Sequence, residues 1–416
     1  MKVRWFSLSI FVLVFAFAVA ACGDDEDSGG GGGASSGGKT LNVYSSLPLQ
    51  GASRPQSEDV IKGIKLALKQ AGNKAGDFTI KYTSLDDSTA AAGKWEAQQT
   101  SANARKVAQD DAAIAYIGEF NSGASAISIP ITNEAGLLQV SPSNTALGLT
   151  KAGPGATQGE PDKYYPTGER TYGRVVPVDT IQGAAQAQYM QDEGVKSLYV
   201  LDDKEVYGQG VAANTEAAAK KAGIKIAGTD SWEGKAANYR ALASKIKASG
   251  ADGVFLGGII DNNAPQLAKD LNAAMPDAKL FGPDGVATVD FTKEIPPKVQ
   301  AKMFLTAPTV SPDELPPAGQ KFYTDYEAEY SEPQDEIDPY AVYGYEAMSA
   351  VLGAIGKGGD DRAAVIKGFF DTKKTDSVLG PYEIDDDGDT TLTLYGAYLA
   401  KDSKFVFNKA LKPQTE

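Results

Sequence analysis

The chain has 416 residues, with 40 Lys and Arg against 54 Asp and Glu, for a formal net charge of −14. This acidity excludes the electrostatic footprint of a nucleic-acid binder, and the length exceeds one ordinary hydrophobic core, so two lobes are expected. Histidine is absent and there is one cysteine, which removes His-based triads and metal ligands, intrachain disulfides and Cys-X-X-Cys redox pairs.

Lys2 and Arg4 precede an apolar run from Trp5 to Ala21, broken only by Ser7 and Ser9. A basic start, an apolar centre and small residues at the end read as a secretory leader, residues 1–21. The run ends Val19-Ala20-Ala21-Cys22, similar to a bacterial lipobox, which implies cleavage before Cys22 and lipidation of its sulfur. Residues 22–39 continue with Gly23-Asp24-Asp25-Glu26-Asp27-Ser28 and a Gly/Ser run. Such a segment buries too little apolar surface to fold and serves as a flexible tether. Removing the leader takes away two basic residues and no acidic ones, leaving −16.

The body alternates strand and helix in two rounds. Leu41–Tyr44 reads as a strand, and Val60, Ile61, Ile64, Ala67 and Leu68 then recur at helical spacing, with Ser57 as a cap. Strand Phe78–Leu85 precedes helix Trp95–Ala108. Strand Ile114–Ile117 precedes helix Ser122–Glu134, and Leu137–Val140 is a further strand. Lys151–Arg174, rich in Gly, Pro, Thr and Tyr, reads as an elaborated loop. The second round runs from strand Leu198–Leu201 to helix Gly210–Ala222. Then come strand Ile224–Ala227, helix Tyr239–Ala248, strand Val254–Leu256, helix Ala264–Leu271 and strand Lys279–Phe281. Short apolar strands between amphipathic helices mean an α/β chain with two doubly wound parallel-sheet lobes. Such sheets bind ligands at the carboxyl ends of their strands.

Four strand ends draw attention for that reason. Gly118-Glu119-Phe120-Asn121-Ser122-Gly123 runs into a helix start, where N–H groups and a hydroxyl suit a carboxylate. Ser141-Pro142-Ser143-Asn144-Thr145 clusters hydroxyls. Asp202–Gly210 places Tyr207 in a loop before a helix, and Phe281-Gly282-Pro283-Asp284-Gly285 holds an acid between turn formers. Each taken singly also fits a plain cap, turn or packing residue.

Together with Ser45–Gly51, Val254–Gly258, Tyr340–Ala347 and Gly380–Asp389, these segments resemble the leucine/isoleucine/valine-binding family of type I periplasmic binding proteins, the receptors of ABC importers. The likeness spans Leu41 to about Leu411. It implies that Ser122 and Thr145 bind a ligand α-carboxylate, that Asp284 and the Asn144 carbonyl hold the α-ammonium, and that Tyr207 reaches the same head group across the cleft. Gln56 and Ile259, with Phe120, stand where the side chain of the ligand would lie. The expected lobes are residues 40–177 with 308–379 and residues 178–307 with 380–416, joined by a three-segment hinge near Val178, Pro308 and Gly380. The expectation is a monomeric, lipid-anchored receptor at the outer face of the bacterial cytoplasmic membrane. It captures an aliphatic amino acid for permease subunits, without catalysis, cofactor or metal.

Asp385-Asp386-Asp387-Gly388-Asp389 is no EF-hand, since Thr390 and Gly396 stand where Gly and Glu belong; a surface hairpin turn is expected. A hydrolase reading finds no G-x-S-x-G elbow in the body of the chain. An amide or urea receptor on the same fold, or a sensor for a membrane partner, are the alternatives.

Overall fold

The structure is a computed structural model and describes residues 38–413; the leader, Cys22 and most of the tether lie outside the described residues. The first elements are β1 (Thr40–Leu47), α1 (Arg54–Gln70), β2 (Lys74–Ala75) and β3 (Phe78–Asp86). The short β4 (Ser88–Thr89) and β5 (Lys94–Trp95) then pair as a hairpin before α2 (Ala97–Ala108). β6 (Ala113–Gly118), α3 (Ser122–Glu134), β7 (Leu138–Ser141) and β8 (Tyr172–Arg174) follow. They complete a sheet of order β2-β3-β1-β6-β7-β8, parallel except at β2.

The chain then enters α4 (Asp179–Asp192), β9 (Ser197–Asp202), α5 (Val206–Lys221), β10 (Lys225–Ser231) and α6 (Arg240–Ala248). It continues through β11 (Gly253–Gly257), α7 (Ala264–Ala274), β12 (Lys279–Gly282), α8 (Val289–Glu294), α9 (Pro297–Gln300) and β13 (Met303–Ala307). α10 (Pro317–Tyr330), α11 (Ala341–Gly358), α12 (Arg362–Phe370), β14 (Lys373–Lys374) and β15 (Tyr382–Glu383) return to the first lobe. β16 (Tyr395–Lys401) and β17 (Lys404–Leu411) finish the second. The second sheet has the order β10-β9-β11-β12-β13-β16-β17, its last two strands antiparallel. β6 and β11 are buried at every residue, as strands covered on both faces must be. In each sheet the strand order reverses beside the first strand of the round, at β1/β6 and β9/β11, which opens a crevice at the carboxyl ends there.

Several sequence expectations shift. Ser57 is no cap: α1 begins at Arg54 with Pro55 in its first turn, where a missing N–H costs nothing, and Ser57 is buried inside it. α5 starts four residues before Gly210, so Tyr207 sits in the first helical turn and not in a loop. Lys151–Arg174 is irregular until it ends in β8, a sixth strand. The chain passes between sheets around Val178 and Pro308, but its third passage lies between Asp389 and Tyr395 and not near Gly380. Tyr382 and Ile384 are buried in the first lobe's core, Leu392 and Leu394 pack against it half-buried, and Gly380 lies between β14 and β15. The acidic turn does form, with Ile384 bridging Thr390. It is not wholly a surface feature, because Asp389 is only 2% exposed.

The first lobe is held by α1 crossing α11 at very close range. A Cβ on Gly63 would fall 2.1 Å from the Ala341 carbonyl, and one on Gly344 would fall 2.2 Å from that of Val60. Glycine at both positions lets the two backbones touch.

Candidate functional site

The carboxyl ends of both sheets meet around one small cavity. It is lined by Gln56, Phe120, Asn121, Ser122 and Ser143 and, opposite them, Tyr207, Ile259, Asp284 and Gly285, with Tyr340 closing one side. Six of the eight residues expected from sequence are therefore brought together: Gln56, Phe120, Ser122, Tyr207, Ile259 and Asp284. The space measures about 20 Å³, the room of a single water, so a solute of amino-acid size enters only as the lobes part.

On the first lobe, α3 begins at Ser122, and its cap residue Asn121 makes no side-chain bond to the helix. The Asn121 Oδ1 atom is buried without a hydrogen-bond partner. Ser122 Oγ lies 3.5 Å from the Ala146 N–H, and Ser143 Oγ donates to the Phe120 carbonyl at 2.9 Å. This wall thus offers the Ser122 hydroxyl and the positive end of a helix dipole.

Asn144 and Thr145 do not line the cavity. The Asn144 side chain donates to the Phe120 carbonyl at 2.8 Å and accepts from Ser125 and Tyr172, and its own carbonyl accepts Arg174 Nη1 at 2.9 Å. That carbonyl already has a cationic partner, which argues against its expected role toward an ammonium. Asn144 instead staples the two turns to each other. Thr145 is fully buried with its hydroxyl unpartnered, just behind the lining.

Arg174, at the end of β8, is the clamp on this turn. It is fully buried and pairs with Asp389 at 2.8 Å. It also donates to the Ala146 carbonyl at 2.9 Å and the Thr150 hydroxyl at 2.5 Å.

The second lobe presents acid. Asp284 accepts from Tyr207 Oη and Gln182 Nε2, each at 2.5 Å, and from Tyr340 Oη. Burial pushes its pKa up, partly offset by those bonds. All three donors are neutral, and no lysine or arginine lines the cavity among the described residues. Nearby Asp179 opens α4, fully buried, with both carboxylate oxygens unpartnered. Burial first, then the charge of Asp284, push its pKa up to about 8. A buried anion with neutral donors and a second acid beside it is unfavourable unless a cation joins it.

Asp179, Gln182 and Tyr340 were missed from sequence. Asp179 had one visible signal, an acid at a helix start following Pro177-Val178. Gln182 had none, and Tyr340 stood without a role at the start of the Tyr340–Ala347 segment; only the fold carries both to Asp284.

Among the described residues no helix is long and apolar enough to cross a membrane. No group of three His, Cys, Asp or Glu is placed to hold a metal ion among them either.

Two α/β lobes with an enclosed cleft between their strand ends define a periplasmic binding protein of type I. The family described as "Periplasmic binding protein" matches residues 45–404, and the chain belongs to it. Its likeness to the leucine/isoleucine/valine-binding proteins holds in the comparisons. It is 26% identical to an amino acid binding protein of Pseudomonas aeruginosa, over 84% of this chain and 87% of that one. It is also 26% identical to a Leu/Ile/Val-binding protein homolog of Brucella suis, over 86% and 89%. Among solved structures, a leucine binding protein of Thermotoga maritima superposes with a TM-score of 0.78 at 20% identity, covering 90% of this chain and 99% of that one. A solute binding protein of R. palustris in complex with benzoate superposes at 0.73, also at 20% identity, over 90% and 97%.

Proposed function

We propose that this chain is the solute-binding lipoprotein of an ABC importer, capturing a branched-chain or similar aliphatic amino acid between its lobes and presenting it to permease subunits. In this reading it acts as a monomer outside the cytoplasmic membrane, held there by lipid on Cys22. One observation carries the solute class: the two walls of the cleft are electrically opposite. The Ser122 hydroxyl and the α3 N-terminus suit a carboxylate; Asp284, with Tyr207 bonded to it and Asp179 nearby, suits an ammonium. A zwitterion satisfies both, through the strongest class of hydrogen bond. Phe120 and Ile259 leave the remainder of the wall apolar, and Gln56 adds an amide. The relatives named for amino acids and for Leu, Ile and Val support the same solute.

A second reading has Phe120 and Tyr340 in its favour. They meet edge to face at 5.5 Å between centroids on the cavity wall, a surface for an aromatic acid such as the benzoate of the R. palustris protein. Such a solute has no ammonium for Asp284.

A thermal-shift screen of the purified protein against Leu, Ile, Val, benzoate, urea and short amides separates these readings. A solute at about 100 times its dissociation constant adds roughly 2.7 kcal/mol of stability. Shifts with Leu, Ile or Val that vanish in Asp284→Ala support the zwitterion site. A shift with benzoate or amides alone overturns it.

A further inference from the structure

The turn after β11 faces two ways. Ile259 lines the cavity, while Asp261 and Asn262 reach into the opposite lobe. The Asp261 carboxylate accepts the N–H groups of Ala52 at 2.8 Å and Ser53 at 3.2 Å, together with the Ser53 hydroxyl. Those groups lead into α1, and Ser53 gives this helix no side-chain cap of its own. An acid of the second lobe therefore caps a helix of the first, at the positive end of its dipole.

The approach depends on Gly51, whose φ is +85°. A Cβ there would fall 1.8 Å from the Gly93 carbonyl oxygen and 2.9 Å from Asp261 Oδ1. Beside it, Asn262 Oδ1 accepts Lys94 Nζ at 2.9 Å, and Lys94 also pairs with Glu205. The Asn262 amide donates to Asp203 at 2.8 Å, and Asp203 in turn accepts the Ile259 N–H at 2.9 Å. One hydrogen-bonded unit thus links a cavity residue to two grips on the far lobe.

We propose that residues 259–262 are a latch, in which Asp261 and Asn262 set the closed population of the cleft without touching the solute. The proposal rests on the reading that solute is captured between the lobes. Apparent affinity scales with the fraction of molecules in the binding-competent state. Loss of a helix cap of this kind corresponds to about a 5- to 30-fold change in that equilibrium. The change falls on the escape of solute, because Asp261 grips only once the lobes have met.

The test uses the full chain in detergent with its single cysteine changed by Cys22→Ser and new cysteines at exposed Lys65 and Lys298, one per lobe, carrying spin labels. Asp261→Ala is expected to move the inter-label distances toward the longer, open population. It should also speed L-leucine dissociation about 5- to 30-fold and leave the association rate within about twofold. Ser53→Ala, which removes only a hydroxyl, should give part of the effect and add nothing to Asp261→Ala; it also keeps the test open should Asp261→Ala fail to fold. Unchanged distances and dissociation in these variants, or effects of the two that simply add, overturn the latch. If the unmutated protein fails to bind leucine, the solute reading falls while the label distances still decide the latch.

Discussion

Replacing Arg174 by methionine removes the clamp behind the cleft. The guanidinium bonds Asp389, the Asn144 and Ala146 carbonyls and Thr150, and it is fully buried. Its loss leaves a buried carboxylate without its closest counter-ion, and removing one partner of a buried pair costs about 3–5 kcal/mol. Lys151 stands 3.3 Å from the other Asp389 oxygen and meets part of that charge, so the lower end, about 3 kcal/mol, is expected. Urea unfolding followed by tryptophan fluorescence reads it, with Trp95 reporting from the first lobe and Trp232 from the second. The double variant Arg174→Met/Asp389→Leu removes both charges and should recover most of that loss, since replacing a whole buried pair by apolar residues is often neutral. A single variant that loses under about 1 kcal/mol, or a double variant less stable than the single, would refute the view that this pair is held as a unit.

Asp284→Ala should weaken amino-acid binding by roughly 2–5 kcal/mol in calorimetry while leaving the melting temperature of the solute-free protein little changed, since it also removes a buried acid. A large drop in that temperature instead would make Asp284 a structural residue. Asp179 and Asp338 are pushed up to about 8 and Glu119 to about 7, in each case by burial first. Their folded pKa values lie above the unfolded ones, so the stability they contribute is complete below about pH 4 and is lost as pH rises through 7 to 8. Melting temperature should therefore fall between pH 5 and 8, and Asp338→Asn should flatten the fall; a flat or rising profile in the unmutated protein would contradict the burial argument. Gly208→Ala should cost about 1–3 kcal/mol, because its Cβ would sit 2.0 Å from the Asp203 carboxylate and 2.6 Å from the Gly257 carbonyl. Normal stability by urea titration would show that the strand ends yield at that point.

Local signals carried much of the fold. The helix expected at Ser122–Glu134 is found with those bounds, because a strand-ending glycine and a hydroxyl marked its start. The β16–β17 hairpin was missed for a physical reason. Its turn residues Asp402 and Ser403 have φ of 52° and 60°, the tight turn that Asn-Gly or Asp-Gly usually announces, and Asp-Ser conceals it. α4 was also missed, since its buried face includes Gln182, Gly183 and Gln186 and so lacks an apolar stripe. At the site, residues directly following strands were legible. Tyr340 was given no site role, because spacing alone cannot separate a packing tyrosine from one whose hydroxyl meets Asp284.

The packing of α11 on α1 also sets an order of assembly. The strands of the second lobe from β9 to β13 are contiguous in sequence, apart from its closing hairpin. The first lobe needs Gly344 against Val60, and one core gathers Ile64 with Phe322 and Val351, so its packing spans most of the chain. Closing so long a loop is slow, and a chain growing from its N-terminus has β1 and α1 long before the helix that covers them. Until then their apolar surface stays uncovered and extendable. The core of the lobe that begins the chain thus closes only after strands β9 to β13 of the other lobe have been made.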